Sequence, residues 1–156
     1  MKGLLVVMPC GQGKIWDKHP HHGATLARDA YTGAPSKVNR GYAERFAEQW
    51  VILSAKYGLI PPDFPIPGPY NVTFKAKATG PVSVSTLRAQ IKEQNLDRFD
   101  VVIGLGGKEY RAMLEEAFRG SPVELRFPFA GLPIGKAMQA TKQAVESGDP
   151  YSHIRQ

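Results

Sequence analysis

Three short runs of uninterrupted apolar residues, Leu4 to Met8, Trp50 to Leu53 and Val101 to Ile103, constrain this chain most. Apolar residues at every position, rather than at every second one, suit strands buried on both faces, as in a sheet covered by helices on each side. A fourth run, Val123 to Phe127, mixes polar and apolar residues and reads as an edge strand.

Between these runs the period changes to that of a helix. Tyr110, Met113, Leu114, Ala117 and Phe118 fall on one face of a helix over Glu109 to Phe118, which Gly120 stops. Val38, Tyr42 and Phe46 form one stripe over Lys37 to Gln49, and Leu87 and Ile91 share a face over Ser83 to Leu96, with Ser83 or Ser85 as a capping residue. Ala24 to Tyr31 is a shorter candidate. Met138, Thr141 and Val145 mark the last helix, Ile134 to Ser147, ahead of Gly148 and Pro150. Strands alternating with helices call for parallel strands and right-handed crossovers. The expected architecture is a single α/β domain over residues 1–156, a three-layer sandwich with a mostly parallel sheet of about four strands, in the order 2-1-3-4, and helices on both faces.

One stretch departs from the pattern. Residues 61–81 are rich in Pro and Gly and carry no helical period, yet contain Phe64, Ile66, Tyr70, Val72 and Phe74. The expectation is an ordered excursion packed over the sheet, since loops of this length in compact domains are usually functional or disordered.

A single cysteine, Cys10, precludes an intrachain disulfide, and no apolar run is long enough to span a bilayer. Met1-Lys2-Gly3 leads directly into the first strand rather than into an export signal, so a cytoplasmic location and no membrane partner are expected. The net charge of +6 favours an anionic partner, either a nucleotide-like small molecule or nucleic acid.

The strand exits carry the candidate chemistry. Met8-Pro9-Cys10-Gly11-Gln12-Gly13-Lys14 follows the first strand, and Gly11, Gly13 and Lys14 suit an anion, although the spacing is not that of a P-loop. Cys10 is either a buried thiol or a nucleophile. After the second strand, Ser54, Lys56 and Tyr57 offer a hydroxyl, a charge and a stacking ring, with Tyr70 downstream. After the third, Gly106, Gly107 and Lys108 open a helix, whose free N–H groups attract anions. In the expected strand order these exits meet in one crevice, with Ser54, Lys56, Tyr57 and Cys10 as candidate catalytic groups. His19, His21 and His22 lack further ligands at zinc-site spacing, so no metal or other cofactor is expected.

The stretch from Ile52 to Ile60, followed by Pro62, Asp63, Ile66 and Pro69-Tyr70, resembles the YaaA-like family of peroxide-stress proteins. Its smaller members are also similar at Pro9-Cys10-Gly11 with Lys14, at Ala30 to Gly33, at Gly106-Gly107 with Tyr110, and at Gly131 to Gly135. The chain differs in Ala55-Lys56 within the turn and in Asn71 after Pro69-Tyr70, where YaaA carries an Arg. The resemblance implies DNA binding and a part in limiting oxidative damage. Two functions therefore stand side by side: an enzyme directed at a nucleotide, nucleoside or nucleic-acid base, of open reaction type, and a non-catalytic DNA- or RNA-binding stress protein. In the second, Lys75, Lys77, Arg88 and Lys92 would follow the phosphates.

Overall fold

The computed structural model describes residues 3–154. In chain order the elements are β1 (Leu4–Pro9), α1 (Ile15–Lys18), β2 (Thr25–Leu26), α2 (Ala27–Ala30), α3 (Ala34–Phe46), β3 (Gln49–Ser54), β4 (Gly58–Ile60), β5 (Pro65–Ile66), α4 (Val84–Glu93), β6 (Val101–Gly104), α5 (Lys108–Ala117), β7 (Glu124–Arg126) and α6 (Ile134–Ser147).

The main sheet has five strands in the order β4-β3-β1-β6-β7. β1 is central and parallel to both β3 and β6, and β7 joins β6 in parallel. The sheet is thus mostly parallel, but its strand count and order differ from the four-strand expectation. The difference is β4, which folds back antiparallel on β3 with Leu53 opposite Leu59. A three-residue strand carries too little alternation to be seen by period, and this one is buried at all three positions.

Alternate residues of the central strands feed two cores. Val6, Met8, Ile52 and Ile103 pack with Tyr42 and Ala43 of α3 and Ala144 of α6. Leu5, Val7, Val51 and Val102 pack with Leu87 and Ile91 of α4 and Leu114 and Ala117 of α5. Helices therefore cover both faces, which is why the strands are apolar at successive positions. Ser83 caps α4, its hydroxyl accepting from the Thr86 N–H at 3.1 Å.

Other boundaries shift for local reasons. α3 begins at Ala34 rather than Lys37, with Pro35 in its first turn, where a missing N–H is harmless. The segment read as one helix from Ala24 divides into β2 and α2, because Thr25 and Leu26 pair with Ile66 and Pro65. A short helix, α1, precedes it where none was expected. The 61–81 excursion is ordered: Phe64 and Pro62 carbonyls accept from Ala27 and Arg28, and Val82 N–H donates to Ala55. No helix among the described residues is long and apolar enough to cross a membrane.

Candidate functional site

Parallel strands bring their carboxyl ends, and hence the starts of the following helices, to one edge of the sheet. A cleft of about 890 Å³ opens there. Its floor is the Pro9–Lys14 loop after β1 and Leu105 to Gly107 after β6. The excursion forms one side through Asn71, Thr73 and Lys75. Phe129, Leu132 and Met138 form the other, and Pro35 and Asn39 of α3 stand behind.

The first turns of α3, α5 and α6 all contribute to this lining. None of the three helices has a side-chain cap at its N-terminus. Helix N-termini carry unpaired N–H groups and partial positive charge, so three of them around one cleft favour an anion there. Arg111 adds a cation within α5, its guanidinium donating to the Gly106 carbonyl at 3.2 Å.

The glycines have packing roles as well. A Cβ on Gly11 would stand 2.5 Å from Ser36 Oγ, so the loop lies against α3. Gly106 has φ +114°, and a Cβ there would meet Pro9 at 3.1 Å. The β1 and β6 exits consequently touch, which fixes the cleft floor.

The expected crevice residues divide into two groups. Cys10, Gly11, Gly13, Lys14, Gly106 and Gly107 line the cleft. Lys108 is exposed beside it and is not part of the lining. Ser54, Lys56, Tyr57 and Tyr70 are not part of the lining. Ser54 is fully buried, and its hydroxyl accepts from the N–H groups of Lys56 at 3.2 Å and Tyr57 at 3.1 Å, holding the β3–β4 turn. The same oxygen bonds Tyr70 Oη at 2.9 Å, and Tyr70 Oη bonds Tyr31 Oη at 2.5 Å. Burial pushes the Tyr31 and Tyr70 phenols well above their ordinary range, so both stay protonated. Lys56 is exposed, with its ammonium 5.3 Å from the Tyr57 ring centre.

Lys14 joins the two groups. It is 8% exposed rather than a free surface charge. Its backbone forms a bridge with Tyr31, which turns the side chain inward. Its ammonium lies 4.6 Å from the Tyr70 ring centre and donates to the Gln12 carbonyl at 3.3 Å. Burial holds this amine below the ordinary lysine range. Cys10 Sγ lies 3.1 Å from Tyr110 Oη, which also donates to the Cys10 carbonyl at 3.2 Å. Burial raises the Tyr110 phenol too.

Of the four expected phosphate-tracking residues, Lys75 lines the cleft and Lys77 is exposed nearby in the excursion. Arg88 donates to the Glu116 carbonyl at 2.9 Å, and Lys92 pairs with Asp97 at 2.7 Å. His19, His21 and His22 are exposed, His22 Nδ1 lying 2.9 Å from Thr25 Oγ1. The described residues contain no group of three or more His, Cys, Asp or Glu able to hold a metal.

Sequence reasoning missed Arg111, Asn39 and Met138; Phe129 and Leu132 lie in the strand-to-helix loop before α6, whose Gly131 to Gly135 stretch carries part of the family resemblance, but were not singled out as an apolar wall. Arg111 lies one turn into α5, and its position four residues after Gly107 was the available signal. Phe129 and Leu132 reach the cleft because β7 pairs with β6 and so places the following loop beside it.

The chain is 37% identical over 143 residues to the uncharacterised protein YfjM of Bacillus subtilis strain 168, an alignment covering 91% of this chain and 95% of YfjM. Among solved structures, AF0587, a protein of unknown function, aligns with 97% of this chain at 16% identity and a TM-score of 0.44. The chain spans about half the length of that protein, 48% of it being covered. Residues 6–143 match the model of a family of unknown function, DUF6884, and the chain belongs to that family.

Proposed function

We propose that the protein is an enzyme acting on a nucleotide, nucleoside or nucleic-acid base, and that an anionic group of its ligand binds in the cleft at the strand ends. The observation that carries this reading is the convergence of three uncapped helix N-termini on one cleft. Each such terminus favours an anion by about 0.3–1 kcal/mol when exposed. Arg111 and Lys75 add cations at the same cleft. Phe129, Leu132 and Met138 offer a surface for an apolar or aromatic ring, which a free phosphate alone would not require.

The rival reading is a DNA- or RNA-binding stress protein, which the YaaA-like resemblance and the basic charge support. Arg88 and Lys92 already hold local partners, so only Lys75 and Lys77 of the proposed phosphate track are exposed without such contacts. A concave cleft suits a small ligand better than a duplex.

The test is a titration of inorganic phosphate, nucleosides, nucleotides and a short oligonucleotide, followed by thermal shift and calorimetry. Nucleotides are expected to bind more tightly than nucleosides. Arg111→Ala should weaken nucleotide binding roughly tenfold, the equivalent of one charge-assisted hydrogen bond. Absence of nucleotide binding, or binding indifferent to Arg111→Ala, would remove the reading. Salt-sensitive oligonucleotide binding with no mononucleotide binding would favour the rival.

A further inference from the structure

Lys14 lines the cleft with no ion-pair partner of its own among the described residues. It is the most deeply buried lysine or arginine of the described residues, yet none of the ion pairs among those residues includes it. Its one hydrogen bond goes to a neutral carbonyl, that of Gln12. Two acids stand on neighbouring elements: Glu109, in the first turn of α5, lines the same cleft, and Asp17 of α1 spends a carboxylate oxygen on the Lys14 backbone N–H at 2.9 Å and raises the amine's basicity. The other ionisable groups around it are Cys10 on the same loop, Tyr31 at the end of α2 and Tyr70 from the excursion. Tyr110 of α5 reaches Cys10. Lys56 shares the Tyr70 ring, its ammonium 5.8 Å from the ring centre, and so brings like charge rather than compensation.

We infer that Lys14 is the proton-transfer group of the cleft: a largely buried amine at the cleft lining that forms no ion pair among the described residues, placed to take a proton from a bound ligand's hydroxyl or from an attacking water. This role rests on the enzymatic reading above. A lysine desolvated in this way favours its neutral form, and the neutral amine is the form that accepts a proton. The direction of its ionisation agrees, since burial is the largest influence on it. In the step, the O–H bond of the ligand hydroxyl or of the water breaks, its proton passes to the nitrogen lone pair, and its electron pair stays on the oxygen, which becomes the nucleophile. The resulting ammonium faces the Tyr70 ring, which stabilises a cation. Tyr31 and Ser54 fix that ring through their hydrogen bonds to Tyr70 Oη and are positioning residues.

The experiment is competitive acylation of the folded protein with trace acetic anhydride over a series from neutral to alkaline pH, read peptide by peptide by mass spectrometry. Exposed Lys18 and Lys142 serve as internal references. The half-point of Lys14 acylation should fall measurably below theirs. A half-point equal to theirs, or no acylation of Lys14 at any pH at which the fold persists, would overturn the inference. A second measurement separates the role from anion binding. Lys14→Met, checked for folding by circular dichroism, should bind nucleotide nearly as well as the unmodified protein, whereas a clamp would lose roughly tenfold. A tenfold loss in that variant would likewise overturn the inference. If nucleotides fail to bind even the unmodified protein, the proposed function falls, and the acylation profile still judges Lys14 by itself.

Discussion

Tyr70→Phe removes one oxygen from the centre of a buried hydrogen-bonded chain and leaves the ring that faces Lys14. The lost contacts are those to Tyr31 Oη at 2.5 Å and Ser54 Oγ at 2.9 Å. Ser54 keeps the N–H groups of Lys56 and Tyr57 but loses the partner of its own hydroxyl. Tyr31, only 5% exposed, loses its 2.5 Å partner and keeps only the weaker interaction with Ser54. Two net hydrogen bonds of about 1 kcal/mol each, with a further penalty for the weakly paired Tyr31 hydroxyl, give an expected loss of about 2–3 kcal/mol. Tyr31→Phe should cost about 1 kcal/mol, since Tyr70 then retains Ser54. The double variant should cost less than the sum, because it removes the weakly paired hydroxyl; a coupling of about 1 kcal/mol is expected for groups in one network. Urea unfolding at constant m-value measures all three. A Tyr70→Phe variant within about 0.5 kcal/mol of the parent, or strictly additive single costs, would refute the reasoning.

Two further predictions concern the fold. Gly104→Ala would place a methyl group 2.6 Å from Phe127 and 2.8 Å from Leu114, so a loss of about 1–3 kcal/mol is expected in the same urea assay, as for other overpacked cores. Tyr31, Tyr42, Tyr70 and Tyr110 all have phenols raised by burial above the ordinary value of 10.0. Because the unfolded chain releases these protons first, their contribution is complete below about pH 10 and falls as pH rises above it. Urea midpoints measured on either side of that pH should show the decline, accompanied by the absorbance change of tyrosinate on unfolding.

The alternation of apolar runs and helical periods determined the α/β class, because strands buried on both faces and helices buried on one leave different periods in a sequence. β1, β3 and β6 were legible on that ground, as was α6 from Ile134 to Ser147. β4 was not, since three residues returning from a tight turn at Gly58 gain their identity from pairing with β3. Glycines and a lysine after β1 and β6 marked the two loops that form the cleft floor, because a backbone that must pass close to its neighbours needs small residues there. The remainder was decided only by tertiary structure. Sequence treats Lys14 and Lys56 alike, yet the Lys14–Tyr31 bridge turns one inward while the β3–β4 turn leaves the other in solvent. Ser54 looks like a free nucleophile until its oxygen is seen accepting two N–H groups of its own turn. Arg111, Phe129 and Met138 come from separate parts of the chain and share no motif, so only the crossovers of a parallel sheet bring them to the same cleft. A side chain's charge is written in the sequence, but its access to water is set by what packs against it, and here that difference separates the exposed Lys56 from the buried Lys14.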